Sequence, residues 1–242
     1  MKRLRTTAAA AVLSTLALAA SADARVAPGV QTDTNGAQCT ANFVFTDGTS
    51  TYLGQAAHRS GTGEATDTNG CEAGTLAYSS WNTMQAAGET DADACAYNDL
   101  GLIKLPAGTQ ADPSVPFWGG PTGVATTAPA TGAKVYSYGN SSLRQGIELL
   151  KPKRGVTLGA SGNGWTHSLY TLTPGIPGDS GSAFRTADGK AFGVLSTLAL
   201  APLPASNGVS DLSRMLAYAR AHGLPNLRLV NGTTAFNPNR IL

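Results

Sequence analysis

Two Asp-Gly dipeptides, each set between short strand-like runs, constrain this chain more than any other feature. Asp47-Gly48 separates residues 39–45 from 51–55, and Asp188-Gly189 separates 182–185 from 191–198. Asp-Gly suits the hairpin turn in which both central residues take positive φ, and between strand formers it reads as a β-hairpin. Further strand signals lie at 74–78, 100–105, 134–138, 156–158 and 167–172. Glycine is abundant, at 29 residues, and charged residues are sparse, at 13%. That composition fits many tight turns and argues against a helical bundle or a disordered tail. The expected fold class is all-β, in barrels or sandwiches. One helix is marked at about 210–222. Ser210 can cap it, Leu212, Met215, Leu216 and Ala219 recur at helical spacing, and Gly223 with Pro225 ends it. Residues 111–129, rich in Pro, Gly and Thr, read as a connection between two halves.

The first 24 residues read as a secretory signal. Lys2, Arg3 and Arg5 form a positive head, residues 8–20 an apolar run too short to span a membrane, and Ala22-Asp23-Ala24 a small-residue cleavage site. The mature chain is expected to begin near Arg25 and to be exported, with no membrane segment. The full chain has 17 basic and 15 acidic residues, a net charge of +2. Setting aside residues 1–24 leaves 14 of each, so the basicity belongs to the signal. A neutral remainder offers no electrostatic footprint for nucleic acid.

The chemistry concentrates in Gly178-Asp179-Ser180-Gly181-Ser182. A serine hydroxyl is a weak nucleophile until a base takes its proton, and attack requires N–H donors aimed at the oxyanion that forms. Glycines let the backbone turn tightly enough to present them. Gly178 and Ser180 are the candidate donors. The candidate bases are His58, His167 and His222. His58 follows Ala56-Ala57 at the end of a strand, where small residues let an imidazole and a substrate approach closely. Asp99 opens the apolar run 100–105, a position that can bury a carboxylate yet aim it at a neighbour. Asp91 and Asp93 lie in a polar loop and read as solvated. The order His58, Asp99, Ser180 differs from the Ser, acid, His order of α/β-hydrolases. Forcing that order as Ser180, Asp211, His222 fails, because Gly-x-Ser-x-Gly is broken by Ser182 and His222 sits at a helix end.

These three motifs resemble those of the chymotrypsin-like (trypsin-fold) serine peptidases, bacterial secreted type: a nucleophile loop, a strand leading into Ala-Ala-His, and an aspartate before an apolar strand. The likeness covers most of 38–200. It implies two six-stranded antiparallel β-barrels with a C-terminal helix. Residues 25–115 would form the half with His58 and Asp99, and 116–242 the half with Ser180. It implies a secreted serine endopeptidase acting on protein or peptide substrates as a monomer, with no metal or organic cofactor. The alternative is a catalytically silent binding protein on the same fold. Gly178 and Ser180 would form the oxyanion hole, Asp179 would not be the triad acid, and Ser182 replaces a usual glycine. Ser196 would support Asp99. Thr197 and Leu198 would edge the substrate pocket, with Leu198 where glycine is common. Pro174, six residues before Ser180, falls where the family reads the residue before the scissile bond. No acid occurs in 172–177, so an apolar or small residue is expected there in the substrate rather than Lys or Arg. His167 could contact an acidic side chain, though a plain strand histidine is the favoured reading.

Three cysteines, Cys39, Cys71 and Cys95, leave one over. The family's cysteine after the catalytic histidine is Arg59 here. The resemblance therefore points to a Cys71–Cys95 disulfide that leaves Cys39 outside it, with Cys39–Cys71 as the alternative. Arg25-Val26 resembles an activation cleavage, after which a new amino terminus would pair with Asp179.

Overall fold

The computed structural model describes residues 26–58, 63, 65–68, 71–199 and 204–242. The expected signal segment and Arg59 lie outside them. Among the described residues the chain forms β1 (Gln31–Thr34), β2 (Ala37–Thr40), β3 (Val44–Thr46), β4 (Thr51–Gln55), β5 (Ala65–Thr68), β6 (Cys71–Ser79), α1 (Ser80–Ala87), α2 (Ala92–Tyr97) and β7 (Gly101–Lys104). There follow β8 (Lys134–Tyr138), β9 (Pro152–Ser161), β10 (Thr166–Thr171), β11 (Ala183–Thr186), β12 (Ala191–Ala199), β13 (Ser206–Asp211), α3 (Leu212–Ala221) and β14 (Arg228–Leu229).

The all-β class and the terminal helix are as expected. The second half closes into a six-stranded antiparallel barrel, in the order β10-β13-β12-β11-β8-β9. The first half is an eight-stranded sheet, β14-β3-β4-β7-β6-β5-β1-β2, and not the expected six-stranded barrel. Two features extend the sheet at its ends. The β1–β2 hairpin turns at Asn35-Gly36, both with positive φ (53° and 79°), which Asn and Gly tolerate best. β14 returns from beyond α3 to pair with β3.

The first-half strands feed two cores from alternate faces, as a strand's twofold periodicity requires. Val44, Leu53 and Ile103 face one apolar cluster within the sheet. Their neighbours Phe45, Tyr52 and Leu102 face another, shared with Val194, Leu212, Met215 and Leu216 of the second half. The second core locks sheet and barrel together and fixes what stands at their junction. A third cluster, including Leu169, Phe184, Phe192 and Val209, fills the barrel.

Helix α3 is capped by Asp211, whose side chain accepts from Arg214 N–H at 2.9 Å. Ser210 is not the cap. It lies inside β13, and its buried hydroxyl has no hydrogen-bond partner among the described residues. Helices α1 and α2 carry no strong sequence signal, being eight and six residues long.

The Cys71–Cys95 bridge is not formed: Cys95 carries a free, exposed thiol on α2, with Sγ 3.6 Å from the Glu89 carbonyl. Helix α2 holds that thiol on the solvent side. The side chain of Cys71 lies outside the described residues. Cys39 is buried in β2.

Candidate active site

Strand β4 runs directly into Ala56 and Ala57, both buried, and delivers His58 at the junction of sheet and barrel. Asp99 stands between α2 and β7 and is 2% exposed. Four donors converge on its carboxylate. Ala57 N–H and His58 N–H each reach Oδ1 at 2.8 Å. His58 Nδ1 and Ser196 Oγ each lie 2.7 Å from Oδ2. A carboxylate so surrounded can only accept, which places the imidazole proton on Nδ1 and leaves Nε2 as the basic nitrogen. The indole of Trp81, on α1, flanks the imidazole with ring centroids 6.2 Å apart.

Ser180 lies in the turn before β11. It lines the same cavity as His58, with no hydrogen bond between them. Such bonds commonly tighten only when substrate binds. The loop's backbone is used selectively. Asp179 N–H donates to Ile176 O, Gly181 N–H to Leu195 O, and Ser182 N–H to Asp179 O. The N–H groups of Gly178 and Ser180 meet no acceptor among the described residues. Gly178 has φ +91°, and a Cβ there would stand 2.5 Å from Gln38 Oε1. Gly181 has φ +89°, and a Cβ would stand 2.5 Å from the Thr40 carbonyl. Both positions therefore demand glycine. Position 182 does not: Ser182 is buried and its hydroxyl donates to the Asp179 carbonyl at 2.6 Å.

Asp179 points away from the cavity into a buried cluster of three charges. Arg144 Nη2 and Lys153 Nζ reach its Oδ2 at 2.5 and 2.9 Å. Burial alone would raise the Asp179 carboxyl, but these cations outweigh it and hold the pKa below the ordinary range. Burial pushes the Lys153 ammonium down to about 8, and the nearby Arg144 charge adds to the effect against the pull of Asp179. Asp179 is therefore already paired from within the chain. Val26 is buried and bridged to Ala111. Nothing local in the sequence marks Arg144 and Lys153; their burial is a product of the fold.

The cavity beside Ser180 has a volume of about 190 Å³. Ser196, Thr197 and Leu198 line it, with Leu198 52% exposed. Pro174 does not line it. Its carbonyl accepts from Arg144 Nη2 at 2.7 Å and Lys153 Nζ at 3.3 Å, and Gly175, Ile176 and Pro177 form the wall instead. Asn207, from β13, is a lining residue the sequence reading missed, because its polar strand carries no apolar alternation. It is 1% exposed, and its Oδ1 accepts from Gly175 N–H at 2.8 Å. Among the residues lining the cavity, His58 is the one with a titratable side chain; the other polar groups are serine and threonine hydroxyls and the Asn207 amide.

The other histidines are spoken for elsewhere. His167 is buried in the barrel, with Nε2 2.9 Å from Asp211 Oδ2, and does not line the cavity. Asp211 thus serves His167 and the cap of α3. His222 stacks on Tyr218 with centroids 4.0 Å apart.

No protein-family model and no curated protein sequence matches the chain. Solved structures do. Protease A from Thermobifida fusca is 20% identical with a TM-score of 0.60, over 86% of this chain and all of that one. The chymotrypsin of Cellulomonas bogoriensis is 20% identical with a TM-score of 0.56, over 85% of this chain and 98% of the other. A Nocardiopsis protease is 17% identical with a TM-score of 0.57, over 85% and 99%. Eight-stranded sheet, closed barrel and terminal helix together give this chain the fold of the bacterial chymotrypsin-like serine proteases.

Proposed function

We propose that the chain is a serine endopeptidase that hydrolyses peptide bonds through an acyl-enzyme. Ser180 Oγ attacks the scissile carbonyl carbon while His58 Nε2 takes its proton. The oxyanion is received by the N–H groups of Gly178 and Ser180. His58 then gives the proton to the departing amine as the C–N bond breaks, and water, activated by the same imidazole, releases the acyl group. Asp99 fixes the His58 tautomer and stabilises the imidazolium. Ser196 helps to hold Asp99. The observation that carries this reading is the four-donor cage around Asp99, which orients His58 over a cavity that also contains Ser180.

The cavity's walls support an uncharged substrate side chain of small or middle size before the scissile bond. A buried Lys or Arg would find no carboxylate among the lining residues. Residues 1–24 support export of the mature chain. The test is covalent labelling of native protein with a fluorophosphonate. Mass spectrometry places one adduct on Ser180, and His58→Ala abolishes it. A folded parent that takes no label at Ser180 overturns the assignment.

A further inference from the structure

Two buried serine hydroxyls stand behind the peptide groups of Gly178 and Ser180, whose N–H bonds meet no acceptor among the described residues. In a trans peptide the N–H and C=O lie in one plane and point in opposite directions, so holding the carbonyl aims the N–H. Gly120-Pro121 is the cis peptide among the described residues, so the unit joining Pro177 to Gly178 is trans. The Gly178 N–H shares that unit with the Pro177 carbonyl, to which Ser141 Oγ donates at 2.6 Å. The Ser180 N–H shares its unit with the Asp179 carbonyl, to which Ser182 Oγ donates at 2.6 Å. The unit between them is closed at both ends. Thr40 Oγ1 donates to the Gly178 carbonyl at 2.9 Å, and Asp179 N–H donates to Ile176 O at 2.9 Å.

Neither hydroxyl can exchange its partner for water. Ser141 is 1% exposed and Ser182 is fully buried. Ser141 is itself pinned: its Oγ accepts from Leu143 N–H at 3.1 Å and its N–H donates to Asp179 Oδ1 at 3.0 Å. We propose that Ser141 and Ser182 are positioning residues that preset the oxyanion hole, each fixing one donor peptide from behind through its carbonyl. This rests on the serine-peptidase reading. A hydrogen bond to the carbonyl also polarises the amide and strengthens its N–H as a donor. Preset donors need no reorganisation when the oxyanion forms.

The two serines differ in weight. Pro177 O receives no other donor among the described residues, and Gly178 has no side chain to resist rotation of the unit. Asp179 O keeps the Ser182 backbone N–H, at 3.0 Å, when the hydroxyl is removed. The test measures the rate constant for fluorophosphonate modification of Ser180 across pH in the parent, Ser141→Ala, Ser141→Thr and Ser182→Gly, with melting curves for each. Ser141→Ala lowers the plateau rate about tenfold, short of the hundred- to thousandfold effect of deleting a donor outright. Ser182→Gly lowers it less, and Ser141→Thr, which keeps the hydroxyl, recovers most of it. The pH midpoint stays in place, because His58 and Asp99 are untouched.

Unchanged plateau rates in both hydroxyl-deleting variants overturn the proposal, and so does a loss that comes with a moved midpoint. If Ser141→Ala does not fold, Ser182→Gly decides alone, since its turn keeps the backbone bond. A parent that takes no label at Ser180 removes the peptidase reading and the proposal together. A labelled parent with indifferent variants removes only the proposal.

Discussion

Replacing Lys153 with methionine isolates the cost of a buried cation behind the nucleophile loop. Lys153 is fully buried against Asp179 and Arg144, and burial lowers its pKa from 10.5 to about 8. Each pKa step of one corresponds to about 1.4 kcal/mol, so keeping Lys153 charged in the fold costs about 3 kcal/mol relative to the unfolded chain. The sign follows from proton counting. Below pH 8 both states hold the proton and the full cost is present. Between about 8 and 10.5 the unfolded chain holds more of it, so stability from this group rises with pH. Lys153→Met removes the charge, keeps much of the stem, and leaves Arg144 on Asp179. The assay is urea unfolding at pH 7.5, 9 and 10.5, followed by tryptophan fluorescence, on a Ser180→Ala background that prevents self-cleavage. Across that range the parent gains about 3 kcal/mol on the variant. Tyr78 and Tyr138, whose pKa values burial raises, are present in both proteins and cancel. Parallel profiles would refute the reasoning, because Lys153 would then carry no depressed pKa.

Asp99→Asn preserves the shape of the site but removes the acceptor that fixes the His58 tautomer, and the rate of Ser180 acylation falls about ten-thousandfold. An acylation rate within about tenfold of the parent would contradict the tautomer argument. Gly181→Ala places a Cβ 2.5 Å from the Thr40 carbonyl at φ +89°, and thermal unfolding shows a loss of about 2 kcal/mol or more. Native protein treated with a maleimide is modified at Cys95, which is exposed. A Cys71–Cys95 peptide in an unreduced digest would count against the described α2.

Local signals carried the parts of the fold where chemistry and pattern coincide. Residues 51–55 and 134–138 were legible as strands, because β-branched and aromatic residues there border turn formers. At both Asp-Gly turns the glycine takes positive φ, +99° at Gly48 and +82° at Gly189. The Asn35-Gly36 hairpin carried a signal of the same kind, flanked by Thr-rich strands too polar to stand out. Strand β13 was illegible because its buried residues include Ser206, Asn207 and Ser210, polar groups on both faces that erase the alternation. The three candidate catalytic residues could be named because each sits in a local motif. The Arg144–Lys153–Asp179 cluster could not, since it joins residues up to 35 positions apart that no local pattern links. Pro174 illustrates the limit of counting along the chain: the count put it in the pocket, but the backbone turns its carbonyl to two cations and leaves the wall to residues 175–177.

The most direct test of the central claim is digestion of a proteome-derived peptide mixture by the mature protein, with new termini read by mass spectrometry. The parent is expected to generate new termini after small or apolar residues, and Ser180→Ala to generate none. A folded parent that produces no new termini, or the same termini from Ser180→Ala, would contradict the account and favour a silent binding protein on this fold.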